Sequence, residues 1–82
     1  VPSSERPAAD FEGEGLQLLD ALVETGLSKS KGEARRMIRQ KAVRVEGVVV
    51  SDEMLQLGNA DIVEGKIALQ VGKKHHHHIK VI

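Results

Sequence analysis

The spacing of apolar residues changes once along the chain, and this change most constrains the fold. Between residues 16 and 40 the apolar residues recur every three or four positions, as on one face of a helix. From Val43 onward they alternate with polar residues, as in a strand with one buried face. The order of the two periods predicts an α+β fold, with two helices packed on a small, mostly antiparallel sheet.

Local signals set the expected limits of the two helices. The first is predicted over residues 16–25, and Gly26 can end it in a left-handed cap. Ser30 followed three residues later by Glu33 is a capping box, in which the Ser hydroxyl accepts a free backbone N–H of the first turn. This box predicts a second helix from Lys31 to about Gln40.

The alternating segments predict two hairpins. In the first, Glu46-Gly47 forms a tight turn between residues 43–45 and 48–50. Residues 51–61 are expected to be irregular, with Leu55 and Leu57 filling the core. The second hairpin turns at residues 72–74, after a strand that points one set of apolar residues inward: Ile67, Leu69 and Val71.

The length of 82 residues limits the chain to one small domain. Residues 1–15 hold both prolines, four acids and little apolar surface to offset their ordering entropy, so a flexible linker is expected there and the domain over residues 16–82. Because the chain starts at Val1 rather than Met, we expect a piece of a longer protein. Cysteine is absent, which excludes disulfides and thiolate chemistry, and no apolar run approaches the length of a membrane span.

Although the net charge is zero, the acidic and basic residues are concentrated in different segments of the chain. Residues 25–44 carry seven bases against Glu33, whereas residues 1–24 and 45–65 each carry a net charge of −5. Fields act locally, so a basic block between two acidic ones remains compatible with an anionic partner.

The basic block is the candidate site. Its members are Lys29, Lys31, Arg35, Arg36, Arg39, Lys41 and Arg44. A helix start also presents free N–H groups and the positive end of the helix dipole, which suits phosphate. One alternative is a solvated face neutralised by the acidic segments, although Arg35 and Arg39 are like charges one turn apart, which a purely structural helix tends to avoid. Since Phe11 is the only aromatic residue, any nucleic acid must be bound through phosphates and shape rather than by base stacking.

Other polar clusters offer little chemistry. The run His75, His76, His77 and His78 places two imidazoles on each face of a strand, too few for a closed zinc site without cysteine. A metal site and the remainder of a purification tag are alternatives to the favoured interpretation, a solvent-facing strand that binds metal adventitiously. No serine has a histidine near it in sequence, and the loop carboxylates are expected to be solvated. We therefore expect no catalytic residue, no metal site and no cofactor, and no enzyme activity from this chain alone.

Residues 27–38, followed by Val43-Arg44-Val45-Glu46-Gly47, resemble the RNA-binding domain first named after ribosomal small-subunit protein four, the S-four domain. The shared pattern is a capping Ser, Ala-Arg, an apolar pair and a hairpin at the same spacing. The resemblance implies that Lys31, Arg35 and Arg36 face RNA, with Lys29, Arg39 and Arg44 beside them. The sequence departs from the pattern at Lys41 and Ala42, where the family has Gly, and at Glu46, where it has Asn.

The flanking sequences narrow the resemblance. Residues 16–22, Leu-Gln-Leu-Leu-Asp-Ala-Leu, and the ending Leu69-Gln70-Val71-Gly72-Lys73-Lys74 are similar to C-terminal domains of bacterial tyrosyl-tRNA synthetases. This implies a domain that grips tRNA, and a cytoplasmic parent, an ATP-dependent tyrosine–tRNA ligase that can be a homodimer through its other part. Two alternatives remain: an S-four-like domain that binds rRNA in a modifying enzyme or ribosome-associated factor, and a protein-interaction module with a basic face.

Overall fold

The computed structural model describes residues 2–82. The elements run in the order β1 (Ser3–Arg6), β2 (Leu16–Gln17), α1 (Leu18–Glu24), α2 (Lys31–Arg39), β3 (Val43–Val45), β4 (Val48–Val49), β5 (Gln56–Leu57), β6 (Lys66–Val71) and β7 (His75–Val81). Two short 3₁₀ turns, Ala8–Phe11 and Asn59–Asp61, complete the chain.

The sheet is mixed but mostly antiparallel, as the sequence predicts. Its strands lie in the order β1-β7-β6-β3-β4. Among the strands of residues 2–82 in this sheet, β1 and β7 alone pair in parallel, while β7, β6, β3 and β4 form antiparallel pairs. β2 and β5 form a separate two-stranded ribbon. The predicted α+β class is confirmed.

The first helix is shorter than its apolar spacing predicts. Leu16 and Gln17 pair with Leu57 and Gln56 in the β2–β5 ribbon, so α1 begins only at Leu18. The helix ends as predicted, with Gly26 in the left-handed conformation at a φ of 80°. Local periodicity could not distinguish the two residues before the helix from its first turn, because their partners lie about 40 residues away.

The capping of α2 follows the sequence closely. The Ser30 hydroxyl accepts the backbone N–H of Glu33 at 3.2 Å. At the other end, Lys41 and Ala42 donate backbone N–H groups to the carbonyls of Ile38 and Met37, both at 3.0 Å. This is a Schellman cap, and Lys41 occupies its left-handed position with a φ of 59°. Lys41 therefore takes the backbone conformation for which the related pattern uses Gly.

The β3–β4 hairpin explains Glu46. Glu46 and Gly47 have φ values of 50° and 81°, as a type I′ turn requires. The Glu46 N–H donates to the carbonyl of Ala68 at 2.9 Å, and the Glu46 Oε1 accepts the N–H of Ala68 at 2.7 Å. The carboxylate thus extends the β3–β6 ladder by one step.

The N-terminal segment differs from the linker that the sequence predicts, at least over residues 2–15; Val1 lies outside the described residues. Ser3–Arg6 adds β1 to the sheet edge, and Phe11 is only 1% exposed in the core. Arg6 forms ion pairs with Asp10 and Glu24. Phe11 supplies buried apolar surface, and the parallel pairing of β1 with β7 supplies backbone hydrogen bonds. The composition of residues 1–15 suggested neither.

The core lies between the helices and one face of the sheet. From the helices it receives Leu18, Leu22, Ala34 and Ile38, and from the sheet Val43, Val45, Ile67, Leu69, Val71 and Ile79. Leu57 is fully buried and Leu55 packs against the core, as predicted, although residues 51–61 include β5 and a 3₁₀ turn.

Candidate nucleic-acid interface

Six of the seven candidate cations lie around α2, and the structure leaves all seven exposed to solvent. Lys29 and Lys31 flank the helix start, Arg35, Arg36 and Arg39 lie along it, and Lys41 follows its end. Buried Ala34 and Ile38 hold the opposite side of α2 against the core. We call these six side chains the cationic face; the seventh candidate, Arg44, lies on β3.

Two members of the cationic face form ion pairs. Lys31 Nζ lies 3.0 Å from Asp20 Oδ1, and Arg39 Nε lies 3.0 Å from Glu53 Oε2. A second Arg39 nitrogen, Nη2, donates to Glu53 Oε1 at 3.5 Å. The side chains of Lys31 and Arg39 are 55% and 70% exposed, and ion pairs in such positions contribute at most about 1 kcal/mol. Phosphate can therefore compete for both cations.

Four members of the cationic face form no salt bridge with residues 2–82: Lys29, Arg35, Arg36 and Lys41. Arg35 and Arg36 point about 100° apart around the helix, and neither charge is offset by a salt bridge to a carboxylate of residues 2–82. The alternative of a neutralised structural face therefore accounts for Lys31 and Arg39 but not for this pair.

The start of α2 adds backbone donors to the same region. This nine-residue helix directs its positive dipole end toward Lys29 and Lys31. The Ser30 hydroxyl accepts the backbone N–H of Glu33, the third residue of the helix. Lysine charge and helix dipole thus act in the same direction on an anion at this end.

Arg44 lies on a different side of the molecule from the cationic face. Its neighbours Val43 and Val45 point into the core beneath the helices, so Arg44 points to the outer face of the sheet. There its cross-strand neighbours are Gln70 on β6 and Val49 on β4. Strand alternation already contained this information, because a residue between two buried valines faces away from them.

The histidine run is divided by the same alternation. His75 and His76 are exposed and His78 is half-buried, whereas His77 is 6% exposed and its Nε2 lies 3.0 Å from the Ser4 hydroxyl. Burial, and secondarily the neighbouring His78, lowers the pKa of His77. The prediction of a solvent-facing strand is therefore wrong for His77, which lies on the same face of β7 as buried Ile79. Within the described chain, no three metal-ligating side chains cluster.

Residues 2–82 contain no helix that is both long and apolar enough to cross a membrane.

The two-helix α+β fold and the capped cationic helix are those expected of an S-four-like domain. Residues 2–79 match the model of the tyrosine–tRNA ligase SYY-like C-terminal domain, and the chain belongs to this family.

Curated relatives agree with the family match. The chain is 47% identical over 77 residues to a tyrosine–tRNA ligase of Rhizobium meliloti, covering 93% of the chain and 18% of that protein. It is 37% identical over 83 residues to one of Roseiflexus castenholzii, covering 100% of the chain and 20% of that protein. A tyrosine–tRNA ligase of Methylocella silvestris is 39% identical over 82 residues, covering 100% of the chain and 19% of that protein. The chain thus spans about a fifth of the length of these relatives.

Proposed function

We propose that this domain binds tRNA by gripping phosphates with the cationic face of α2. The observation that carries the proposal is the adjacent pair Arg35 and Arg36, which is exposed and has no carboxylate partner within residues 2–82. Family membership supports tRNA as the RNA, because the relatives are tyrosine–tRNA ligases.

The proposed grip has an ordered set of contacts. Lys29, Lys31 and the start of α2 receive one phosphate, and Arg35 and Arg36 receive the next phosphates along the strand. Arg39 exchanges Glu53 for phosphate when RNA arrives, since the exposed pair is weak. Such contacts fix position and orientation without reading bases, so the shape of the folded RNA provides the selectivity.

In this proposal the domain is the tRNA anchor of a larger, cytoplasmic tyrosine–tRNA ligase. Activation of tyrosine by ATP and its transfer to tRNA belong to the part of the parent protein outside this chain. The anchor contributes by holding the tRNA near that part, which raises the local concentration of the substrate. Dimerisation of the parent, if present, would use the same outside part.

A charge-reversal experiment tests the proposal. Arg35→Glu with Arg36→Glu is expected to weaken binding of fluorescently labelled tyrosine tRNA about 100-fold, because attraction to phosphate becomes repulsion. Lys73→Glu with Lys74→Glu is the matched control, since it makes the same charge change in the exposed β6–β7 turn. The control is expected to lose no more than about threefold.

Circular dichroism of both double variants checks that the fold is kept. Equal losses in the two variants would show that net charge, rather than the α2 surface, governs binding. An rRNA stem-loop of similar length that bound as tightly as tRNA would favour the rRNA alternative.

A further inference from the structure

An apolar groove opens beside the β3–β4 hairpin, outside the cationic face. It has a volume of about 420 Å³ and lies between β4 and the chain around residues 51–63. Three valines at its border are unusually exposed for aliphatic residues: Val48 at 68%, Val49 at 41% and Val63 at 49%. We call this feature the valine groove. Val48 lies opposite inward-pointing Val45, whereas Val49 lies opposite outward-pointing Arg44, so the side chains of Val48 and Val63 supply the exposed aliphatic surface on the groove side of β4.

The valine groove borders an open sheet edge. β4 is the last strand of the five-stranded sheet and pairs only with β3 in the described chain. This two-residue edge strand offers only a few backbone N–H and C=O groups to another extended segment. β1 occupies the opposite edge, so a segment added at β4 would not compete with β1.

Carboxylates surround the groove and are fixed by backbone hydrogen bonds. Glu46, Asp52 and Asp61 line it and accept N–H groups from Ala68 at 2.7 Å, Met54 at 2.9 Å and Gly58 at 2.9 Å, respectively. Residues 45–65 contain five acids and no base, and the nearby cation Arg44 lies opposite Val49 on the outer face of the sheet. This local charge repels RNA phosphate and attracts cations, so the groove suits a different partner from that of α2.

We propose that the valine groove docks an extended protein segment in which aliphatic residues are flanked by Lys or Arg. The aliphatic side chains would cover Val48 and Val63, and the flanking cations would meet the three carboxylates. The segment would run along β4 as an additional strand, which is the known mode of peptide addition to a sheet edge. The exposed valines, the carboxylates and the edge strand β4 all favour an extended segment with aliphatic and cationic side chains.

Two matched peptides test this proposal, Lys-Val-Ile-Val-Lys and Glu-Val-Ile-Val-Glu, both with blocked ends. Titration into the isotopically labelled chain is followed by the backbone amide signals. The lysine peptide is expected to shift the signals of Val48, Val49 and Val63, and to bind at least tenfold more tightly than the glutamate peptide. Equal binding of the two peptides, or no shift at these valines, would overturn the proposal.

Variants sharpen the assignment. Val48→Lys changes an exposed side chain and adds a cation at the groove, so the lysine peptide should lose at least tenfold in affinity without loss of fold. The pair Arg35→Glu and Arg36→Glu should leave peptide binding unchanged, which separates failure of this proposal from failure of the RNA proposal. Shifts of the valine signals with protein concentration alone, or with added tRNA, would assign the groove to a second copy or to RNA and contradict a basic peptide partner.

Discussion

The acidic stretch of residues 45–61 and the cationic face of α2 use their charges in opposite ways. Glu46, Asp52 and Asp61 are each committed to a backbone N–H of a turn or strand. Arg35 and Arg36 have no carboxylate partner in the described chain. The difference is that these carboxylates already stabilise turns and strands of the fold, whereas the two arginines form no salt bridge within the described chain.

The chemistry of the side chains explains this division. Turns leave backbone N–H groups without partners, and a carboxylate accepts them, whereas a guanidinium or ammonium can only donate. A long cationic side chain at the surface loses rotamer freedom if it is fixed, so it is most useful where a ligand supplies the acceptor. Removing an acid should therefore cost stability, and removing a base should cost affinity.

The largest expected stability loss is at Glu46. Glu46→Ala leaves the N–H of Ala68 without its acceptor and should lower the free energy of unfolding by about 2 kcal/mol. Glu46→Gln keeps an acceptor oxygen and should lose less than half as much. Urea unfolding of both variants gives the comparison, and tRNA affinity should not fall in either. Equal losses would show that charge, rather than the hydrogen bond, stabilises the turn.

Arg36→Ala provides the opposite case. The side chain is exposed and forms no salt bridge with residues 2–82, so the free energy of unfolding should change by less than about 0.5 kcal/mol. The affinity for tRNA should fall about fivefold through the loss of one phosphate contact. Lys74→Ala in the β6–β7 turn is the control and should change neither quantity. A stability loss as large as that of Glu46→Ala would remove the distinction between the two regions.

Glu53→Gln tests the link between the two regions with a smaller effect. The substitution removes the charge that holds Arg39, so tRNA affinity should rise about twofold to threefold. Stability should fall by less than about 1 kcal/mol, because the Arg39 side chain is 70% exposed. Reduced affinity would show that Glu53 positions Arg39 for RNA rather than competing with it.

His77 is an ionisable group whose pKa the fold lowers. Burial lowers its pKa in the folded state, so below about pH 6.5 the unfolded state binds more protons and stability falls as the pH falls. The Ser4 hydroxyl lies 3.0 Å from His77 Nε2, and His78 makes the smaller contribution to lowering the pKa of His77. His77→Gln should make unfolding less sensitive to pH between 7 and 5, whereas exposed His76→Gln should not. Identical profiles for both variants would contradict this role.

Sequence reasoning succeeded where the deciding interactions are local. The cap at Ser30, the left-handed Gly26 and the Glu46-Gly47 turn each depend on residues a few positions apart. Lys41 shows that the cap forms without the expected Gly, because the backbone bonds to Ile38 and Met37 hold it.

Distant partners limited the remaining predictions. β1 pairs with β7 across more than 70 residues, and its polar sequence Ser-Ser-Glu-Arg carries no apolar alternation. Nothing local to Phe11 indicates that it enters the core. The orientation of Arg44, in contrast, was predictable from the alternation of Val43, Arg44 and Val45, and grouping it with the helix by sequence distance overlooked that signal.

The salt dependence of tRNA binding tests the central claim most directly. If about five cations meet phosphates, log affinity should fall with log salt concentration at a slope of about −3.5 to −4.5. In Arg35→Ala with Arg36→Ala the slope should become shallower by about 1.4 to 1.8, one phosphate contact for each arginine. A slope in the double variant equal to that of the unchanged chain would contradict the account, because the phosphates would then be held elsewhere.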